Sequence, residues 1–97
     1  MMSDHDLKRY IVTLSYSDES LGDLQSLNSV MVNGGYTTTL HDDEGRSHEL
    51  GTNSFGIITA LEQHEIAEHA AGLADVALHR QAEVKISTLS EFLKAKP

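Results

Sequence analysis

The sequence predicts one α+β domain, in which a four-stranded antiparallel sheet carries two helices on one face. Two patterns predict this class. Segments with alternating apolar and polar residues, typical of strands, are interspersed with segments whose apolar residues recur every three or four positions, typical of helices. The length of 97 residues and a hydrophobic fraction of 39% fit one domain spanning residues 1–97. We expect residues 1–7 to form a flexible N-terminus.

The first strand and first helix have the clearest patterns. Residues 8–16 alternate strictly, and the face predicted to point inward carries Tyr10, Val12, Leu14 and Tyr16. The opposite face, which we expect to be open, carries Ile11, Thr13 and Ser15. A helix is predicted over residues 21–32 because leucines and Met31 recur at helical spacing. Asn33 and two glycines then end it.

The remaining elements follow in a regular order. A second strand is predicted over residues 36–41, followed by a turn over 42–45 and a continued hairpin over 46–50. A third strand is predicted over residues 54–60 and a helix over 62–78. A fourth strand over residues 81–87 and a short terminal helix over 89–94 complete the chain. With right-handed crossovers, the order β-α-β-β-α-β is that of the ferredoxin-like fold.

Composition and charge restrict the classes of function. The chain has no cysteine, no signal-peptide pattern and no apolar run long enough to span a bilayer, so we expect a cytoplasmic protein with no membrane contact. A net charge of −8 repels phosphate polyanions on average. Any contact with nucleic acid must therefore come from a local basic cluster.

The histidines are the most conspicuous chemical feature of the sequence. His64 and His69 lie five residues apart, which turns them about 140° from each other on a helix, so we predict no metal site there. His41 and His48 flank an acidic turn. They are candidates for metal binding or for general acid–base catalysis, and they equally fit an exposed hairpin.

The predicted topology gathers several polar residues at one end of the sheet. This candidate phosphate-binding group consists of Lys8, Arg9, Asn28, His41, Arg46 and His48. The tyrosines of the first strand share the inward face, so base stacking on the open sheet face is not expected.

Four sequence motifs resemble those of one known family. They are Tyr10-Ile11-Val12-Thr13, Leu27-x-Ser29-x-Met31, Asp42-x-x-Gly45 and Leu50-x-x-Asn53-Ser54-Phe55-x-Ile57-x-Thr59-x-Leu61. The chain thereby resembles the GhoS family, the bacterial antitoxins of type V toxin–antitoxin systems. The resemblance implies a sequence-specific endoribonuclease whose partner is RNA, namely the messenger RNA of a small membrane toxin.

The chain departs from this family at the positions linked to cleavage. The resemblance implies arginines in the first helix where this chain has Ser26 and Asn28, and an aspartate where it has Ser15. From the residues present, the candidate catalytic side chains are His41, Arg46 and His48. The candidate RNA-binding side chains are Lys8, Arg9 and Asn28, and no metal ligands or cofactor are assigned.

A second hypothesis is a non-catalytic module that dimerises or binds RNA. Ile11, Ile58 and the threonines of the second strand are predicted to form a flat, mildly apolar surface on which a homodimer could form.

Overall fold

The computed structural model describes residues 7–17 and 19–95. Its elements are β1 (Lys8–Ser15), α1 (Leu21–Asn33), β2 (Thr39–His41), β3 (Ser47–Glu49), β4 (Ser54–Thr59), α2 (Gln63–Leu78), β5 (Glu83–Thr88) and α3 (Leu89–Ala95). Each predicted strand and helix is present, and most ends agree within two residues, but the hairpin strand β3 makes a fifth strand beside the four of the predicted β-α-β-β-α-β order. Except for Leu7, the predicted flexible N-terminus lies outside the described residues.

Local hydrogen bonds fix the ends of the two long helices. The Ser20 hydroxyl accepts the N–H of Asp23 at 3.1 Å and caps α1. At the start of α2, the Glu62 N–H donates to the Glu65 carboxylate at 3.0 Å. His79, in the left-handed region with φ of 58°, ends α2 and donates its N–H to the Asp75 carbonyl at 2.8 Å.

The strands form two antiparallel sheets. One sheet has the order β4-β1-β5, and β2 and β3 form a separate hairpin. A single antiparallel bridge between Thr37 and Gly56 joins the chain before β2 to the edge of β4. The predicted α+β class is confirmed. The predicted single four-stranded, ferredoxin-like sheet is not confirmed, because the second strand leaves β4 after this one bridge.

The main core lies between one face of the sheet and the helices α1 and α2. It is formed by Tyr10, Val12, Leu14, Leu27, Met31, Tyr36, Phe55, Ile66, Ala70, Ala74 and Leu78. The inward register predicted for the first strand is confirmed, since Tyr10, Val12 and Leu14 are buried and Tyr16 packs against the same cluster. The alanines of α2 let this helix lie close to the sheet.

A second, smaller core covers the opposite face of the sheet. Ile11 is 0% exposed and packs with Leu40, Leu50 and Leu89. The prediction that this face is open, and that Ile11 lies on a dimer surface, is therefore wrong. Ile58, from the same predicted surface, is 57% exposed.

Gly56 allows the hairpin to fold over the sheet. A Cβ atom on Gly56 would lie 2.5 Å from Cγ of Leu40, so only a glycine admits this leucine. Leu40 reaches Ile11 across the missing side chain, since Gly56 is the register partner of Ile11. The hairpin thus covers the second face instead of extending the sheet. None of the helices in the described part of the chain is long and apolar enough to span a membrane.

Candidate active site at the hairpin tip

Asp42 organises the turn that joins β2 to β3. Its Oδ1 accepts the backbone N–H groups of Glu44 and Arg46, each at 2.9 Å. Its own N–H donates to the Arg46 carbonyl at 2.9 Å, and Gly45 closes the loop with a positive φ of 81°. The turn is thus held by a carboxylate as well as by backbone hydrogen bonds.

The second oxygen of Asp42 is hydrogen-bonded to a histidine. His48 Nε2 lies 2.9 Å from Asp42 Oδ2, and both side chains are partly buried. The hydrogen bond from His48, followed by that from the Arg46 N–H, lowers the pKa of Asp42 from 3.8 to about 2. Asp42 is therefore ionised at neutral pH and accepts the Nε2 proton of His48.

The His48 ring is oriented in a way that suits proton transfer. When Nε2–H donates to Asp42, the neutral ring carries its lone pair on Nδ1. Within the described residues, Nδ1 has no hydrogen-bond partner. The arrangement is a carboxylate–histidine pair in which Nε2 is hydrogen-bonded to Asp42 and Nδ1 carries the lone pair.

His41 does not share a face with His48. In the hairpin register His48 pairs with Leu40, whereas His41 pairs with Ser47. Because directly opposed residues lie on one face and successive residues alternate, the two histidine side chains leave the hairpin on opposite faces. His41 is exposed on the face that does not carry Leu40.

Two of the predicted cations at this end of the molecule, Arg9 and Arg46, form ion pairs with acidic side chains. Arg9 Nη1 lies 2.7 Å from Asp43 Oδ1, which ties the hairpin tip to the start of β1. Arg46 Nε lies 3.4 Å from Glu44 Oε1, and both of these side chains are largely exposed. Exposed pairs of this kind are weak and exchange readily with other partners.

A groove of about 820 Å³ opens between the hairpin tip, the start of β1 and the beginning of α3. Its lining residues are Leu7, Lys8, Arg9, Asp42, Asp43, Glu44, Ile58, Thr88, Leu89, Ser90 and Leu93. The structure thus brings two of the predicted RNA-binding residues, Lys8 and Arg9, next to the turn that carries Arg46 and that precedes His48 on β3.

Asn28 lies apart from this groove. It lines a smaller groove of about 290 Å³, formed by α1 and the segment before β4. The residues that share it include Thr38, Thr52 and Asn53. Of the six predicted site residues, Asn28 is the one placed in a different part of the surface.

Asp42 is the functional candidate that sequence reasoning missed. The sequence places it in a predicted turn and in the Asp42-x-x-Gly45 motif, and an aspartate at the start of a glycine-containing turn commonly accepts backbone N–H groups. A histidine six residues later was the available signal for the additional pair. Across residues 7–17 and 19–95, no group of three or more histidine, aspartate or glutamate side chains could hold a metal ion.

Fold and site together define a small α+β protein with a carboxylate–histidine pair beside an open, charged groove. The chain belongs to the GhoS family, since the model of the family described as "Endoribonuclease GhoS" matches residues 2–95. The chain is also similar to "Uncharacterized protein YdiZ" of Escherichia coli strain K12 and of Escherichia coli O157:H7. Each is 37% identical over 91 residues, covering 94% of this chain and 95% of the relative.

Proposed function

We propose that the protein is a bacterial antitoxin that acts in the cytoplasm as an endoribonuclease on the messenger RNA of a toxin. The observation that carries this proposal is the family match over residues 2–95. The pair formed by Asp42 and His48 supports it independently, because cleavage of RNA at the 2′-hydroxyl requires a base.

The proposed chemistry uses the open nitrogen of His48. Nδ1 takes the proton of a ribose 2′-hydroxyl, and the 2′-oxygen forms a bond to the adjacent phosphorus. The bond from phosphorus to the 5′-oxygen breaks, and that oxygen takes a proton from water; the hydroxide that remains takes the proton from His48 Nδ1, which restores the neutral ring. The products are a 2′,3′-cyclic phosphate and a 5′-hydroxyl. Asp42 keeps the ring oriented and stabilises the imidazolium that forms.

Positive side chains near the turn are proposed to hold the phosphodiester. Lys8 and Arg9 line the groove, and Arg46 lies on the turn that joins Asp42 to His48. An RNA phosphate would replace Asp43 as the partner of Arg9 and Glu44 as the partner of Arg46. His41 and Asn28 are proposed to contact flanking nucleotides outside the groove, since His41 lies on the other face of the hairpin from His48 and Asn28 lines a separate groove.

A cleavage assay tests the proposal. Purified protein is incubated with transcripts of small membrane-peptide genes from the same genomic neighbourhood, with and without divalent cations. We expect wild-type protein to cut at defined positions and His48→Ala to lower the rate by about 10²-fold or more. His64→Ala is the matched control, since His64 is exposed on α2, and its rate should equal that of wild type. Equal rates for wild type and His48→Ala, or no cleavage under any condition, would refute the assignment.

A non-catalytic RNA-binding module is the second candidate. It is favoured by the pairing of both Arg9 and Arg46 with carboxylates, and by Ser26 and Asn28 at the positions where the family resemblance implies arginines. The same samples distinguish the two candidates. Salt-dependent binding of the transcript without any cleavage supports the binding module.

A further inference from the structure

The outer edge of β5 is open to pairing with another strand. β5 is the last strand of the sheet order β4-β1-β5, and among the described residues no strand lies beyond it. Its side chains are only partly covered, with Glu83 and Lys85 exposed. An edge of this kind presents backbone N–H and C=O groups to any strand that fits it.

The hydrogen bonds of the sheet show which groups of β5 point outward. The Leu14 N–H donates to the Asn53 carbonyl at 2.9 Å, and therefore points toward the β4 side of β1. Leu14 is opposite Val84, so these two residues form a pair without mutual hydrogen bonds. The backbone groups of Val84, and by alternation those of Ile86, consequently point away from β1 to the free edge.

The open part of the β5 edge is limited at both ends. At one end, the outward N–H of Thr88 donates to the Glu91 carboxylate at 3.0 Å. At the other end, β5 begins at Glu83, shortly after the chain bends at residues 79 and 80. The part of β5 left open for pairing therefore runs from Glu83 to Ser87, and its outward backbone groups are those of Val84 and Ile86.

The charges on either side of Val84 are self-complementary. Glu83 and Lys85 lie on the same sheet face, on opposite sides of Val84, and both are exposed. When two such strands pair antiparallel about Val84, Glu83 of each copy is opposite Lys85 of the other. These two positions are pairs without mutual hydrogen bonds, in which side chains approach most closely.

We propose that two copies of this chain form a two-fold dimer by pairing β5 with β5 about Val84. Val84 exchanges backbone hydrogen bonds with Val84 of the other copy. The two sheets then form one continuous six-stranded sheet, flanked by two Glu83–Lys85 ion pairs. A second copy is the fitting occupant because Glu83 and Lys85, on either side of Val84, are complementary in charge to the same two residues running antiparallel.

Raising the salt concentration from dilute buffer to about physiological ionic strength should strengthen this dimer. Each chain carries a net charge of −8, and this long-range repulsion is screened at physiological ionic strength. The two close ion pairs are screened less than charges that lie far apart. RNA binding has the opposite dependence on salt, so dimerisation is measured independently of the proposed function.

The test is sedimentation equilibrium at 0.15 M salt, about the physiological ionic strength, up to a chain concentration near the millimolar range expected for a weak interface. We expect the mass of wild-type protein to rise from 10.6 kDa toward twice that value. Glu83→Lys and Lys85→Glu each place like charges opposite one another and should weaken dimerisation by about tenfold or more. The double exchange Glu83→Lys with Lys85→Glu restores the opposite charges and should restore dimerisation.

A mixture of the two single variants is the sharpest control. In a homodimer of either single variant, positions 83 and 85 of the two copies carry like charges and repel each other. In a heterodimer of Glu83→Lys with Lys85→Glu, positions 83 and 85 carry opposite charges in both facing pairs. We expect the mixture to form heterodimers at least as well as wild type forms homodimers. The proposal is overturned if wild type stays at 10.6 kDa throughout, or if each single variant dimerises as well as wild type.

Discussion

The Asp42 carboxylate connects the hairpin turn to the His48 ring, because one oxygen accepts two backbone N–H groups and the other lies 2.9 Å from Nε2. The same residue therefore forms the loop and orients the candidate base. A change at Asp42 should affect both stability and chemistry, whereas a change at His48 should act mainly on the chemistry.

Stability should depend on pH through Asp42. Its folded pKa of about 2 lies below the ordinary value of 3.8, so the ionised form favours folding. This contribution is complete above the ordinary value and is lost as the pH falls through about 2. The free energy of unfolding of wild type should exceed that of Asp42→Asn at pH 6, and most of the difference should be gone by pH 2.

Urea unfolding of both proteins from pH 2 to 7 measures this difference. Asp23 also has a lowered pKa, chiefly through its hydrogen bond with Arg80, but it is present in both proteins and cancels in the comparison. A difference that stays constant over the whole pH range would contradict the role given to the Asp42 carboxylate.

The fit of Leu40 over Gly56 can be tested with two glycine substitutions. Gly56→Ala places a Cβ about where Leu40 Cγ now lies, so we expect a loss of about 1–3 kcal/mol of stability. Gly72 is exposed in α2, and a Cβ atom added there would meet nothing within 4 Å beyond its own helix backbone. Gly72→Ala should therefore stabilise the protein by about 0.5–1 kcal/mol. Urea unfolding measures the stability of both variants. Equal changes in the free energy of unfolding would contradict the close packing of Leu40 over Gly56.

Arg80 joins the loop after β1 to the loop after α2. Its guanidinium donates to the Ser17 carbonyl at 2.6 Å and to Asp23 at 3.0 Å, and it lies over the Tyr16 ring. A lysine cannot make these planar contacts together, so Arg80→Lys should cost about 1–3 kcal/mol in thermal or urea unfolding.

Arg46→Lys is the control for this substitution. Arg46 is exposed and makes one loose ion pair, so we expect a change within about 0.5 kcal/mol. Equal effects of the two substitutions would show that Arg80 does not link the loops.

Local patterns predicted the elements well but not the covering of the second sheet face. Alternation in the first strand separates two faces, and helical spacing locates α1 and α2, because these patterns depend on neighbouring residues. The second core depends on Leu40, Leu50 and Leu89, which come from three separate segments. A sequence pattern does not show that such distant residues meet over a glycine.

Whether the side chains of His41 and His48 share a face of the hairpin depends on the length of the loop between β2 and β3, and a difference of one residue changes the answer. A loop of residues 42–45, as predicted, would pair His41 with Arg46 and place His41 and His48 on one face. The structure has residues 42–46 between the strands and pairs His41 with Ser47. Since side chains alternate along a strand, this shift moves His41 to the other face. The turn was predictable from its composition, but its register was set by the hydrogen bonds of Asp42.

Releasing Arg9 from its acidic partner should strengthen binding of RNA at the groove. Asp43→Asn removes one negative charge and leaves the Arg9 guanidinium, now 2.7 Å from Asp43, available to a phosphate. We expect RNA affinity to rise roughly threefold or more in dilute buffer, and the salt dependence of binding to steepen by about one phosphate contact. Asp75→Asn makes the same change in net charge at an exposed position on α2 and is the matched control.

Fluorescence anisotropy with a labelled transcript measures both proteins over a range of salt concentrations. If Asp43→Asn and Asp75→Asn bind RNA equally well, the gain depends only on the total charge of the protein. In that case the phosphate does not lie in the groove beside Arg9.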